Sequence, residues 1–335
     1  MLYVTTRSNT ETYTAARTLT VDTAPDGGLF VPFQMPSLSV GDLKEKTQSE
    51  CIAYVLGLFF RTKLTQADVA ECIGEDSLAL IAIDRKVSVL QGWNRANREF
   101  SKMEYALYCK LCKDVTPCKK TTQWPKIAIR IAIFAAVIMQ MYEGREVDIA
   151  VNAGDFLTPM TAFYCRQIGL PVGTILCAVN ENSGLWDFFT NGQLNCGAPV
   201  VVTGLPDLDV AVPSQLERLI FAAKGVSGVA EFINRWDSGR LYKADDETLS
   251  HLSSGFAVSV VGVQRVPSLI HRIFTTNSYV LDTYGALTFG ALQDYRATFG
   301  DIRQTLLFSE YSPLVHRATV ANALNIREYK LTDLI

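Results

Sequence analysis

Glu146-Val-Asp-Ile-Ala-Val151 leads into the loop Ala153-Gly-Asp-Phe-Leu-Thr158, then a helix-spaced stretch from Pro159 to Ile168, Gly169, and the run Gly173-Thr-Ile-Leu-Cys-Ala-Val179. A short apolar run, a helical period closed by glycine and a second apolar run spell strand, helix, strand. The connection has the length that a parallel crossover requires. The same rhythm extends outward. Ile127 to Tyr142 reads as a helix before the unit; after it come Pro199-Val-Val-Val-Thr203 as a strand, Ser214 to Ala223 as a helix and Ala257-Val-Ser-Val-Val261 as a strand. Helices alternating with short apolar strands predict an α/β fold, a three-layer and mostly parallel sheet with helices on both faces.

Upstream, Pro25-Asp-Gly-Gly28 is a turn signal between two stretches expected to be extended, Thr18 to Val21 and Leu29 to Val31. Residues 48–61, 66–73 and 100–111 carry apolar residues at helical spacing, while Ala79 to Ile83 and Val87 to Leu90 are strand-like. Ile127 to Met141 has the apolarity of a membrane span, but it is shorter than the ~20 residues a bilayer requires and carries Arg130. A buried helix starting near Pro125 is the expectation, since proline suits a first helical turn.

With 335 residues and 48% of them hydrophobic, the chain can bury a large core. Thirty-one Lys and Arg against 34 Asp and Glu, without a block of one sign, argue against nucleic acid and anionic membrane partners. A small-molecule amino acid or a protein partner is expected instead, with a homo-oligomer as a further possibility. Met1 to Arg7 has no basic segment followed by an apolar one, so a cytoplasmic protein is expected. Eight cysteines scattered along the chain fit reduced, mostly buried thiols.

Cys109-x-x-Cys112 with Cys118 has the spacing of zinc ligands, with a fourth to come from His251, His271 or His316; the other reading is three reduced thiols on a helix end and loop, and no metal is assigned. The string has no Gly-x-Gly-x-x-Gly and no His-Glu-x-x-His, and its three histidines lie well apart in sequence.

Four local matches in register carry a family resemblance. Ala24-Pro-Asp-Gly-Gly-Leu-Phe-Val-Pro32 with Met35-Pro36 is similar to the amino-terminal signature of threonine synthases; Gly169-Leu-Pro171 through Ala178-Val-Asn-Glu-Asn182, with Phe188-Phe-Thr-Asn-Gly192, resembles the strand and turn after the family's phosphate loop. Pro213-Ser-Gln-Leu-Glu-Arg-Leu219 is similar to its Ser-Asn-Leu-Glu-Arg-Leu element; Leu281-Asp-Thr-Tyr-Gly-Ala286 and Ser309-Glu-Tyr-Ser-Pro313 stand where the family has Asp-Pro-His-Thr-Ala and Thr-Ala-His-Pro. The resemblance implies a pyridoxal-phosphate enzyme of fold type II, built like tryptophan synthase β, converting O-phosphohomoserine and water to threonine and phosphate. It also implies an organisation: a threonine-synthase-like amino-terminal part over 1–108, a short cysteine- and lysine-rich bridge over 109–124 in place of the small middle domain, and the α/β large domain over 125–335.

By resemblance, Lys102 falls near the lysine that forms an imine with the cofactor, through Gly92 and Phe100; the family's His, Pro and Thr are absent there, and Lys102 otherwise reads as a solvated helical lysine. Gly154, Asp155, Phe156, Leu157 and Thr158 stand where the family's Gly-Asn-Phe-Gly loop holds the cofactor phosphate. Asp155 brings charge toward a dianion at a cost of ~1 kcal/mol or more, Leu157 is expected to resist a left-handed backbone, and Pro159 removes one amide. In the alternative, Asp155 or Thr158 caps an ordinary helix. Ser309 stands where a hydroxyl meets the pyridine nitrogen, and Tyr284 and Tyr311 replace family histidines. The Ser-Gly-Asp/Asn-Thr-Gly loop that holds the substrate carboxylate has no counterpart in the string. Two functions follow: a catalytically impaired pseudoenzyme acting as a binding or scaffold subunit, favoured by the missing carboxylate anchor, or an active pyridoxal-phosphate-dependent carbon-oxygen lyase on O-phosphohomoserine or a related amino acid.

Overall fold

A computed structural model describes residues 1–74, 78–93, 99–119, 121–300 and 303–335, without the side chain of His251. The amino-terminal part opens with a small antiparallel sheet of β1 (Leu2–Thr5), β2 (Tyr13–Thr14) and β3 (Phe30–Pro32) in the order β2-β1-β3, with α1 (Ala15–Thr20) between the last two strands. Thr18 to Val21, expected to be extended, is therefore mostly helix. Its β-branched residues tolerate the single turn because Thr18 and Thr20 return their hydroxyls to carbonyls three and four residues back. After α2 (Val40–Leu43), the helices α3 (Gln48–Phe60) and α4 (Gln66–Ile73) each begin with a capping box, Thr47 with Glu50 and Thr65 with Asp68. The caps satisfy amides that the helix itself leaves open.

β4 (Leu80–Asp84) and β5 (Val87–Gln91) form an antiparallel pair and α5 (Phe100–Leu111) follows. Residues 112–122 then lead to α6 (Gln123–Met141), with Pro125 in its first turn and its first amide, that of Gln123, donating to Asp22 Oδ1. β6 (Val147–Asn152), α7 (Leu157–Gln167) and β7 (Val172–Val179) make the expected crossover. Beyond lie α8 (Gly184–Asn191), β8 (Gln193–Asn195), α9 (Leu216–Asp237, bent at Gly225), β9 (Leu241–Lys243), α10 (Asp246–Ser253), β10 (Phe256–Val260), α11 (Val266–Asn277), α12 (Thr283–Phe299), β11 (Thr305–Ser309) and α13 (Arg317–Ala323).

Six strands form the central sheet in the order β10-β7-β6-β11-β5-β4, all neighbours parallel except the β4–β5 pair. Alternation along each strand builds two cores. Val147, Ile149 and Val151 of β6, with Leu306 and Phe308 of β11, join the core packed by α3, α5, α6 and α7. Ala150 and Leu307 point the other way, into the core of α11, α12 and α13. This is the three-layer, mostly parallel architecture the alternation predicts. The segment Pro199 to Thr203 departs from expectation and forms no strand; the Asn182 side chain holds both the amide and the carbonyl of Val201, taking the place of a strand partner.

α6 is long and apolar enough to cross a bilayer by length and composition, yet most of it is buried within the protein, against α3, α5 and α7. Two of the quoted segments dock on each other. Glu217 accepts from Thr6 and Arg7, and Arg218 donates to the carbonyl of Phe30, so the start of α9 clasps the amino-terminal sheet. Behind α7, Gly169 has φ +103°, and a Cβ there would sit 2.3 Å from the Leu38 carbonyl oxygen; only glycine admits this approach.

Candidate ligand cleft

A cleft of about 320 Å³ opens between the 152–158 loop, the first half of α6, the 206–210 segment and the residues after β11. Its position follows from topology, because β6 and β11 are neighbours and both end here. Lys126, Arg130, Asp155, Asp207, Glu310 and Tyr311 supply its polar lining.

Arg130 is its electrostatic centre. The side chain is buried in the apolar middle of α6, and all five guanidinium N–H groups have acceptors: Nε donates to Glu104 Oε1 at 2.5 Å and Nη2 to Glu104 Oε2 at 3.3 Å. Nη1 donates to Thr158 Oγ1 at 2.6 Å and Glu310 Oε2 at 3.2 Å, while Nη2 also reaches Glu310 Oε1 at 2.5 Å. Cζ lies over the Phe100 and Phe308 rings, 5.3 and 5.8 Å from their centroids, and the two rings pack edge to face on each other. Two carboxylates thus share one cation, and they respond differently. Burial pushes Glu104 above the usual carboxylate range, whereas at Glu310 the opposing pull of Arg130 and Lys126 outweighs burial and holds it below that range.

The loop is built for closure on itself. Gly154 has φ +44°, with room for a Cβ only 3.0 Å from the Asp207 carbonyl oxygen. Phe156, not Leu157, takes the left-handed backbone, at φ 70°; Leu157 is the first helical residue of α7. Burial explains the swap, because Phe156 must turn inward to stack near Phe189 and Phe256. The Leu157 amide donates to Asp155 Oδ1 at 3.0 Å, the Phe156 amide to the Ala153 carbonyl at 2.6 Å and the Met160 amide to the Phe156 carbonyl at 3.1 Å, while Pro159 has none. Four of the five positions from Phe156 to Met160 therefore offer no amide to a ligand.

The remaining predicted residues fall in different places. Ser309, at the end of β11, is fully buried and donates to Asp282 Oδ2 at 2.5 Å; it does not line the cleft. Asp282 also accepts from the amides of Tyr284 and Gly285 and caps α12, and burial pushes its carboxyl up to about 6 against those bonds. Lys102 lies on the exposed face of α5 and is not among the lining residues, a position set by helical period: Met103 and Glu104 take the buried face. Residues 94–98 of the stretch aligned with the family's lysine motif lie outside the described residues. Tyr311 donates to Asp207 and stacks at 4.7 Å from Tyr284. Among the described residues no three His, Cys, Asp or Glu side chains converge to hold a metal; Cys112 is buried and its thiol is pushed up to about 11, and Cys118 Sγ donates to the Thr20 carbonyl at 3.1 Å. The side chain of His251 lies outside the described residues.

Sequence reasoning missed Glu104, Lys126, Arg130 and Asp207. Arg130 alone carried a signal, a charge inside an apolar run, and that signal bore on membrane insertion rather than on a site. The others become neighbours only through the fold.

Residues 2–76 match the family model described as threonine synthase N terminus. Threonine synthase-like 1 of Pongo abelii is 23% identical over 209 residues, 60% of this chain and 28% of that protein; threonine synthase of Saccharomyces cerevisiae is 23% identical over 220 residues, 60% of this chain and 42% of that protein. The chain thus spans less than half the length of these curated relatives. Among solved structures, pyridoxal-phosphate-bound threonine synthase from Brucella melitensis superposes with TM-score 0.84 at 17% identity, covering 100% of this chain and 94% of that one. Yeast threonine synthase gives 0.81 at 17%, covering 97% and 90%.

Proposed function

We propose, for a chain that belongs to the threonine synthase family, a catalytically impaired form that binds a small zwitterionic amino acid and acts as a binding or scaffold subunit. The short bridge after α5 stands in for the small middle domain, and with it goes the loop that holds a substrate carboxylate. One relationship carries the reading. Arg130 bonds Thr158 on one side and Glu310, next to Ser309, on the other, so both segments where cofactor contacts were expected are committed to a guanidinium.

The residues do not fit pyridoxal phosphate, the group bound by the Brucella protein. That group asks for an amine, for outward-facing amides and for a hydroxyl within reach. Lys102 is not among the cleft's lining residues, the Phe156 and Leu157 amides are spent within the loop and the Ser309 hydroxyl is committed to Asp282. What the cleft keeps is Lys126, which makes no ion pair among the described residues, together with Asp155 and Asp207. A carboxylate on Lys126 and an ammonium on Asp207 suit this lining; a phosphate dianion, facing three carboxylates, does not.

The test is phosphate release from O-phosphohomoserine by the purified chain with excess pyridoxal phosphate. Release at the level of a no-protein blank is the expected result, and turnover sinks the reading. The second reading, an active lyase completed by a partner chain, has one observation in its favour, a lysine, Lys126, lining the same cleft as Gly154. Borohydride reduction with pyridoxal phosphate separates the two: a pyridoxyl adduct on Lys126 or Lys102 supports the lyase, and unmodified protein supports the binding subunit.

A further inference from the structure

We infer that the outer edge of β4 is a docking site for an extended, acidic peptide segment of a partner protein, which joins the central sheet as a further strand. The site lies at the end of the sheet away from the cleft beside Arg130: β4 runs back antiparallel to β5, and the Thr305 amide, at the start of β11, donates to the Lys86 carbonyl in the turn between them. What that cleft binds is a separate question.

The edge offers open main-chain groups. β4 has β5 on one side and no strand among the described residues on the other. The Gln91 amide donates to the Ala79 carbonyl at 3.2 Å, which sets the alternation: Ala79 and Ile81 turn their amides and carbonyls toward β5, and Leu80 and Ala82 turn theirs outward. Beside this edge lies a groove. It measures about 580 Å³, runs between Ala82 to Arg85 and α11, and has the buried residues Ile83, Ile273 and Phe289 as its floor. A strand laid along β4 points every second side chain toward that floor, so apolar residues suit those positions.

Charge decides the rest. Asp84 has a partner in Arg296, at 3.9 Å, whereas the exposed side chains of Arg85 and Arg272, both lining the groove, make no ion pair or hydrogen bond among the described residues. Two uncommitted guanidinium groups over an apolar floor select a carboxylate on the incoming strand.

The experiment mixes the full chain with fluorescein-labelled, acetyl-capped hexapeptides of alternating Val and Thr, with Glu, Gln or Lys walked through each position, and reads anisotropy. Saturable binding of Glu members is expected, with Gln members weaker by about tenfold and Lys members silent. Arg85→Ala and Arg272→Ala should each weaken the Glu members several-fold. Ala82→Pro should abolish their binding, since it removes an outward amide and leaves the bonds to β5 in place. As a check that leaves the protein unaltered, N-methylation of alternate peptide amides should abolish binding to the parent. Indifference to N-methylation, equal binding of Glu and Lys members, or no saturation by any member at millimolar peptide overturns the inference. Citrate binding as tightly as the best peptide makes this a small-anion site, and a dimer in sedimentation that Ala82→Pro disperses gives the edge to a second copy; either result overturns it as well.

Discussion

The Ser309 hydroxyl donates to Asp282 Oδ2 at 2.5 Å, with both residues shut from solvent. The bond joins the end of β11 to the cap of α12, and it commits the hydroxyl that the family resemblance sets against a cofactor ring. Its partner is a strained acid. Burial raises the Asp282 carboxyl from 3.8 to about 6, so folding holds the proton on it to a higher pH than the unfolded chain does.

A pH dependence follows from that sign. A carboxyl raised on folding contributes stability that is fully present below its unfolded value and is lost as pH climbs through the folded one. Asp282 should therefore cost the fold on the order of 3 kcal/mol by neutral pH, the loss falling between 3.8 and about 6. Asp282→Asn keeps the acceptor for Tyr284 and Gly285 and cannot ionise. Urea unfolding across that range should show the variant losing the decline that the parent shows; an unchanged profile would refute the assignment.

Gly169→Ala should be among the most damaging small substitutions. Its φ of +103° and the Leu38 oxygen 2.3 Å from the new methyl both oppose a side chain. A loss of about 2 kcal/mol or more in urea unfolding is expected. A loss near the few tenths of an exposed site would mean that the Leu38 segment moves aside freely.

At Phe156 two effects compete. Phe156→Gly relieves the left-handed backbone, a gain of at most about 1 kcal/mol, but removes a fully buried ring packed on Phe189 and Phe256, a loss of about 3 kcal/mol or more. Burial should win, and the variant should be less stable than the parent by chemical denaturation.

Lys126 and Lys102 make a matched pair for ligand binding. In calorimetric titrations with a panel of amino acids, Lys126→Ala should weaken any bound member by about tenfold, roughly 1.4 kcal/mol, and Lys102→Ala should leave it unchanged. Loss through Lys102 alone would return the site to that face of α5.

Local signals made much of this fold legible. Apolar period set α3, α4 and α5 almost to the residue, and the crossover around Gly169 set β6, α7 and β7. Thr18 to Val21 and Pro199 to Thr203 misled because β-branched residues favour strands only where a partner strand is available; helical hydroxyl bonds and the Asn182 side chain served instead. The loop 153–158 was placed by motif and lines the cleft in part, whereas Glu104, Arg130 and Glu310 meet across 26 and 180 positions of sequence. No period or spacing encodes such a meeting, which depends on two helices packing and on β11 entering the sheet beside β6. Glu217 and Arg218 show the opposite case: a short string kept for a contact, holding the amino-terminal sheet in place.

The single guanidinium of Arg130 ties α5, α6, the start of α7 and the chain leaving β11 to one point. Induced fit by hinge bending asks for two bodies that can part and come together again around a guest. With α6, the start of α7 and the chain leaving β11 anchored to the same buried cation, a guest meets a preset shape on those sides, and the 206–210 segment is the one wall outside that anchorage.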